Sequence, residues 1–236
     1  MPIQFGSMAT SKPTATWDAV IAAGVEAQRL VPGSIAVGGS AAALYAHHRI
    51  SQDTDHLLAD LVSHFQEVRD ALEHDSRWRT ARVQPPVLIL GNIGGVEVGF
   101  RQARRRSVIQ TSVMQTASGP IVVPTLDEMI GMKGYMAYSR NATRDFLDLA
   151  ALMSLAGDDA SLAALLQSNE RYGHLQQTSV LLGIAGCLSD PRPFDLESVD
   201  LGNYKGLVPE WRDWSRVVRV CQTIGRKLTD RLVLDR

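Results

Sequence analysis

The sequence predicts an α+β fold, in which a small mixed sheet with flanking helices is followed by a helical C-terminal half. Short β-rich segments separated by glycine or proline concentrate before Pro124, whereas apolar residues at helical spacing recur through residues 125–236. The 236 residues are 45% hydrophobic and 21% charged, which is typical of a folded globular protein with a sizeable core.

The first elements are predicted from periodicity and from helix breakers. Apolar residues at helical spacing predict a helix over Trp17–Leu30, which ends before a proline and a glycine at 32–33. Ile35–Val37 then leads into Gly38-Gly39-Ser40 and an alanine-rich segment, so we expect a strand, a glycine turn and a second helix. An amphipathic stripe from Leu57 to Leu72 predicts a third helix.

The remaining elements divide at Pro124. Four further strands are predicted at 87–90, 95–100, 107–114 and 121–123. Thr125 and Glu128 have the spacing of a capping box at a helix start. Later helices are predicted at 144–155, 160–167, 177–187 and 211–232. We therefore expect a core at 9–124 and a helical domain at 125–236, and we interpret residues 1–8 as a vector-derived remnant.

Charge and composition exclude several classes of protein. A net charge of -1 gives no general attraction to nucleic acid, and two cysteines are too few for a disulfide framework. No apolar run approaches the roughly 20 residues that span a bilayer, so a cytoplasmic protein without membrane contact is expected. One basic cluster, Arg101 with Arg104, Arg105 and Arg106, is by itself more typical of a solvated turn.

Two short motifs predict a site for a metal ion and phosphates. Asp53 and Asp55 are one residue apart in an extended segment, so their side chains share a face. Carboxylates are preferred ligands of Mg²⁺, which completes its shell with water and phosphate oxygens. Gly38 and Gly39 allow close approach of an anion to a helix start. Each motif alone is also typical of an ordinary turn or exposed loop.

In combination, Val37-Gly38-Gly39 followed by Asp53 and Asp55 resembles the nucleotidyltransferase superfamily typified by DNA polymerase β. The resemblance implies that the two acids hold two metal ions for in-line attack at a nucleoside triphosphate. A third acid usually comes from a neighbouring strand, where Glu97 is the candidate although many relatives have aspartate. A solvent-facing glutamate on an edge strand is the alternative interpretation of Glu97.

A second group of charged residues follows the predicted sheet. On one continuous helix Lys133, Arg140 and Arg144 would lie within about 40° of one another and form a cationic stripe. The alternative is a solvated helix face, in which Asp148 pairs with Arg144 four residues earlier.

The lysine helix followed by Arg144-Asp145-x-x-Asp148 is similar to the AbiEii-type toxin family. That resemblance implies that Ser51, Lys133 and Asp145 or Asp148 belong to the catalytic cleft. We assign catalysis to Asp53, Asp55, Glu97, Lys133, Asp145 and Asp148, with Asp53 and Asp55 as the metal ligands. We assign nucleotide binding to Gly38, Gly39, Ser40, Ser51, Arg140 and Arg144.

The resemblance implies a Mg²⁺-dependent toxin that transfers a nucleoside monophosphate from a nucleoside triphosphate to the 3′ end of tRNA and has a cognate antitoxin. The basic cluster at 101–106 would then contact RNA phosphates. One alternative keeps the chemistry but uses a protein hydroxyl or a small molecule, such as an aminoglycoside, as acceptor. The other is a degenerate module that binds nucleotide or a partner without catalysis.

Overall fold

The computed structural model describes residues 15–105 and 107–234. Residues 1–8 and Arg106 lie outside this part, so the predictions made for them stay predictions. The elements, in chain order, are α1 (Trp17–Leu30), β1 (Ile35–Val37), α2 (Gly38–Ala46), β2 (Asp53–Leu58), α3 (Leu61–His74), β3 (Trp78–Gln84), β4 (Leu88–Ile93), β5 (Val96–Gln102), β6 (Thr111–Thr116), β7 (Gly119–Pro124), α4 (Leu126–Arg140), α5 (Thr143–Ala156), α6 (Asp158–Leu166), α7 (Ser168–Tyr172), α8 (Val180–Ser189) and α9 (Trp214–Leu234). This arrangement confirms the predicted α+β class.

The strands form a five-stranded mixed sheet and a separate two-stranded one. The order in the larger sheet is β1-β2-β5-β4-β3, and β6 pairs with β7. Strands β2 and β5 are parallel, whereas the other neighbours are antiparallel. The strand that carries the acid pair is therefore hydrogen-bonded directly to the strand that carries Glu97.

The sequence pattern misses strand β3 and assigns the end of strand β2 to the following helix. Strand β3 is not predicted, because its exposed central residues lack the alternation of a half-buried strand. Leu57 and Leu58 extend the apolar stripe of α3 in sequence, yet they end β2, and α3 begins only at Leu61. The four helices predicted in the second half are confirmed, with ends that differ by up to three residues.

The two faces of the larger sheet have different neighbours. One face packs against α1 and α3 in a hydrophobic cluster that includes Val20, Ala27, Leu61, Phe65, Leu72, Val98 and Phe100. Because side chains alternate along a strand, the strand residues next to Val98 and Phe100 have their side chains on the opposite face. That opposite face carries the predicted acids.

A second hydrophobic cluster joins both halves of the chain. It includes Val37 and Ala41 from the first half, and Phe146 and Leu149 from α5. The division into domains at residue 124 stays a prediction. Within the described residues, the helices are all too short or too polar to cross a membrane.

The start of α4 follows half of the predicted capping box. The side chain of Thr125 accepts a hydrogen bond from the Glu128 backbone N–H. The Glu128 carboxylate does not accept the second hydrogen bond of the box, which would come from the Thr125 backbone N–H. It is buried instead in an ion pair with Arg105, and Arg171 Nη2 lies 3.5 Å away. The backbone N–H of Thr125 donates to Gln110.

We expect His56 to make the protein sensitive to mild acid. The side chain is fully buried on β2, and burial lowers its pKa to about 3. Below about pH 6.5 the unfolded chain binds a proton here that the folded chain does not, so stability falls by up to about 1.4 kcal/mol per pH unit. Between pH 7 and pH 5, His56→Gln should lose about 2 kcal/mol less unfolding free energy than wild type in urea titrations.

The matched control for this change is His74→Gln, which alters an exposed histidine of α3. It should retain the wild-type decline in stability between pH 7 and pH 5. An equal decline in the His56→Gln variant would contradict the proposed cause.

Candidate active site

The acid pair lies on the open face of β2. Asp53 and Asp55 are half-buried, and they alternate with the buried Thr54 and His56. The prediction that the two carboxylates share a face is therefore confirmed. Ser51 Oγ donates a hydrogen bond to Asp53 Oδ1 at 2.8 Å, which restrains that carboxylate.

The glycine turn brings the first turn of α2 against the acids. Gly38 has φ +75°, and a Cβ added there would lie 3.4 Å from Asp55 Oδ2. A Cβ at Gly39 would lie 2.5 Å from Arg49 Nη2 and 2.9 Å from Ser51 Oγ. Larger residues at Gly39 would therefore displace polar groups of the site. The hydroxyl of Ser40 is buried and donates to the Val37 carbonyl. Val37 at the N-cap makes no side-chain cap hydrogen bond, so backbone N–H groups of this turn remain for an anion.

Strand pairing places Glu97 beside the acids. Asp53 is opposite Glu97, and Asp55 is opposite Gly99, in the parallel β2–β5 pair. Glu97 is exposed, as its alternative interpretation required, but β5 is an internal strand and not an edge. Among the residues that the structure describes, no group of three or more His, Cys, Asp or Glu side chains is arranged to hold a metal ion. The role of Glu97 as third acid stays a prediction.

Gly99 is a residue of this site that the sequence motifs missed. A Cβ at this position would lie 2.8 Å from Asp55 Oδ1 and 2.9 Å from Leu90 Cδ2. The absence of a side chain therefore makes room for the Asp55 carboxylate. A glycine inside a strand is a general sign of such a close approach, and it was the available signal.

The basic cluster at the end of β5 is not one solvated patch. Arg101 Nε lies 3.3 Å from Asp55 Oδ1, and its side chain is about half exposed. Arg105 is largely buried against Glu128, whereas Arg104 is exposed. The expectation of a single cluster is wrong for these residues, because two of the arginines have carboxylate partners that are distant in sequence.

Asp148 is the centre of a buried polar network. Its carboxylate accepts hydrogen bonds from His48 Nε2 at 2.7 Å and from Arg49 Nε and Nη2 at 2.7 and 2.9 Å. Lys133 Nζ lies 2.6 Å from its second oxygen. Burial alone would raise the Asp148 pKa, but the charges of Arg49 and Lys133 and the His48 hydrogen bond hold it well below its usual value. Asp148 is therefore an anion that joins the segment before β2 to α4 and α5.

The predicted cationic stripe is wrong. Helix α4 ends at Arg140, Asn141 takes a left-handed conformation with φ +50°, and α5 begins at Thr143. The Lys133 side chain is only 7% exposed. Its Nζ lies 3.1 Å from Asp145 Oδ1 and 2.6 Å from Asp148 Oδ2. The break at Asn141 turns α5 back so that its acids face Lys133.

The two arginines of the predicted stripe are much more exposed to solvent than Lys133. Arg140 is half exposed, and its Nε lies 3.4 Å from Asp145 Oδ2. Arg144 is exposed in the first turn of α5. The alternative pairing of Arg144 with Asp148 is also wrong, since Asp148 is held by His48, Arg49 and Lys133.

Arg49 is the second residue of the site that the motifs missed. Its side chain is 8% exposed, binds Asp148 through two nitrogens and lies over the first turn of α2. The signal available in the sequence was its position two residues before Ser51. Arg49 connects the Asp148 network to the segment that carries the acid pair.

The donor set of the open face fits a hard divalent cation. Asp53 and Asp55 provide two carboxylates, as Mg²⁺ sites with phosphate ligands commonly do. The N-terminal turn of α2 lies beside Asp55 and presents backbone N–H groups that favour anions. The arrangement is suited to binding a metal ion together with phosphate oxygens.

Comparison with solved structures identifies the fold. A proposed nucleotidyltransferase from H. pylori matches with a TM-score of 0.52 and 13% identity, over 90% of this chain and 95% of that one. JHP933 from Helicobacter pylori matches with a TM-score of 0.52 and 13% identity, over 91% and 93% of the two chains. No protein-family model matches the chain. The chain therefore shares its fold with these two proteins, one of which is described as a nucleotidyltransferase.

Sequence comparison gives partial matches to much longer proteins. The chain is 30% identical over 126 residues to the heme uptake protein MmpL11 of Mycobacterium tuberculosis, which is 52% of this chain and 12% of that protein. The mycolic acid-containing lipids exporter MmpL11 of Mycolicibacterium smegmatis is 30% identical over 125 residues, 51% of this chain and 13% of that protein. The chain thus spans about one eighth of the length of the curated relatives it matches.

Removal of the buried anion should destabilise the protein. Asp148→Asn leaves the charges of Arg49 and Lys133 without their shared partner, which should lower the unfolding free energy by about 3 kcal/mol. Asp230→Asn removes an exposed carboxylate of α9 and should cost less than about 0.5 kcal/mol. Urea titrations at pH 7 measure both values, and equal losses would contradict the structural role of the network.

Proposed function

We propose that the protein is a nucleotidyltransferase, which moves a nucleoside monophosphate from a nucleoside triphosphate to an acceptor hydroxyl and releases pyrophosphate. The observation that carries the proposal is the convergence of Asp53 and Asp55 beside the first turn of α2. The fold shared with a proposed nucleotidyltransferase from H. pylori supports it.

In this proposal each part of the open face has a task. Mg²⁺ held by Asp53 and Asp55 would supply positive charge to the transferring phosphoryl group. Backbone N–H groups of Gly38, Gly39 and Ser40 would bind triphosphate oxygens at the α2 N-terminus. Ser51 orients Asp53 through its hydrogen bond. Glu97 would accept the proton of the attacking hydroxyl from its position opposite Asp53.

We propose positioning roles for Lys133, Asp145 and Asp148. Lys133 is held between the two carboxylates, so its charge is largely balanced before any substrate binds. Asp148 fixes Arg49, and Arg49 lies against the first turn of α2 and beside Ser51. The network therefore acts on the site through the segment that precedes β2. Arg140 and Arg144 have exposed surface and remain the proposed side-chain ligands of the triphosphate.

The acceptor and the biological role are proposed from the resemblance to AbiEii-type toxins. The tRNA 3′ end is the proposed acceptor, and the protein would act as the toxin of a toxin–antitoxin system with a cognate antitoxin. Ser51, Asp53, Lys133 and either Asp145 or Asp148 support this, because they occupy the positions of the residues that carry the resemblance. The nature of the acceptor decides which molecule becomes labelled in a transfer assay.

Transfer should depend on both acids of β2. The protein is incubated with Mg²⁺, total RNA and each α-³²P-labelled nucleoside triphosphate in turn, and label is measured on RNA and on protein. Asp53→Asn and Asp55→Asn should each reduce RNA labelling by more than about 100-fold, since loss of a metal ligand exceeds the effect of its supporting residues. Asp70→Asn, an exposed acid on α3, is the control and should retain full transfer.

Each result has a distinct meaning. The two β2 variants should melt close to wild type, because the relief of repulsion between the neighbouring carboxylates offsets the loss of the partly exposed Arg101–Asp55 ion pair, which contributes little. Labelling that persists in either variant contradicts the assigned site. Label on protein alone would identify a protein hydroxyl, and not RNA, as the acceptor. Triphosphate binding without any transfer would indicate a degenerate module.

A further inference from the structure

Two straight rows of residues cross the open face of the sheet from the acid pair to its far edge. The pairings of β2, β5, β4 and β3 align the first row as Asp53, Glu97, Asn92 and Arg79. They align the second row as Asp55, Gly99, Leu90 and Arg82. Each row thus begins at an acid on β2 and ends at an arginine on β3.

A bulge in β3 places the second arginine on this face. The register between β3 and β4 shifts between Thr80 and Arg82, so Leu90 is opposite Arg82 and not Ala81. In a regular strand, residues 79 and 81 would share the open face, and residue 82 would point towards α1 and α3. The extra residue therefore gives the open face two arginines where a regular strand would give one.

Both arginines are accessible at the edge of the sheet. They lie in the exposed part of β3, and neither forms an ion pair with the residues that the structure describes. Arg79 Nη1 donates to the carbonyls of Ser76 at 2.5 Å and Trp78 at 2.7 Å, which orients its guanidinium. Arg77 nearby differs, since Asp75 and Glu26 neutralise it.

The distance across the rows corresponds to a few nucleotides. Three strand spacings of roughly 4.8 Å separate β2 from β3, or about 14 Å between backbones. A stacked strand rises about 3.4 Å per nucleotide, so about four nucleotides cover this distance. Between the ends lies the half-buried side chain of Leu90, which offers an apolar surface for a nucleobase.

We propose that these two rows bind the single-stranded 3′ tail of a polynucleotide acceptor, with its terminal hydroxyl at the acids and its upstream phosphates at Arg79 and Arg82. The proposal rests on the proposed transferase function and names the acceptor surface of that site. Charge separation favours this direction, because phosphates are attracted to the arginine edge and repelled by the carboxylates. Arg101 and Arg105 already have carboxylate partners, so the cluster predicted from sequence is less suited to the task.

The test compares R79Q/R82Q with R69Q/R226Q, which removes two exposed or half-exposed arginines from α3 and α9. Binding of a fluorescent 12-nucleotide single-stranded RNA is measured by anisotropy, without triphosphate, over a series of salt concentrations. Loss of two phosphate contacts should reduce the slope of log K against log salt by about 1.4 and weaken binding about 25-fold at 0.1 M salt. The control should match wild type. Thermal shifts with triphosphate and Mg²⁺ should be the same in all three proteins.

A second measurement separates this proposal from the proposed function. Transfer to the 12-nucleotide RNA should fall in R79Q/R82Q, whereas transfer to a dinucleotide, too short to reach β3, should not change. Wild-type RNA affinity and salt slope in R79Q/R82Q, or binding of a polypeptide acceptor and no RNA, would overturn the acceptor surface. RNA binding that depends on both arginines in a protein without any transfer would support the surface and refute the transferase function.

Discussion

The buried carboxylate of Asp148 is the constraint on which the site depends. An unpaired charge at this depth is costly, so the chain must bring cationic or hydrogen-bonding partners to it from elsewhere. His48 and Arg49 come from the segment before β2, and Lys133 comes from α4. Satisfying one anion therefore fixes the helical half of the chain against the segment that leads into Asp53. The positions of Ser51 and of the first turn of α2 follow from this anchoring.

The sheet adds a second constraint through strand alternation. Thr54 is buried against Gly24 of α1 and His56 is buried beside Phe100, which leaves Asp53 and Asp55 on the open face. The parallel pairing with β5 then determines what faces each acid, and Gly99 at one of these positions allows the Asp55 carboxylate to lie flat against the strand. Chemistry is thus confined to one face because the other face is needed for the core.

Local patterns predicted the parts of the fold that local physics determines. The strand, glycine turn and helix at residues 35–46, the shared face of the acids and the capping role of Thr125 are all set within a few residues. The burial of Lys133 and the role of Arg49 were not predictable in this way, because Arg49 meets Asp148 across 99 residues of sequence. The break at Asn141 had a weak local signal, since asparagine tolerates the left-handed conformation at helix ends. Strand β3 had none, because an exposed edge strand need not alternate.

The distribution of charge also follows from burial and not from composition. Arg49 and Lys133 are balanced by Asp145 and Asp148, and Arg105 is balanced by Glu128, so these cations stabilise the fold and contribute little field outside it. The arginines of β3 keep exposed surface instead, and they lie at the opposite end of the sheet from the acids. A chain whose net charge is only -1 can therefore carry a local gradient of charge that attracts a polyanion. The net charge of the sequence does not reveal this gradient.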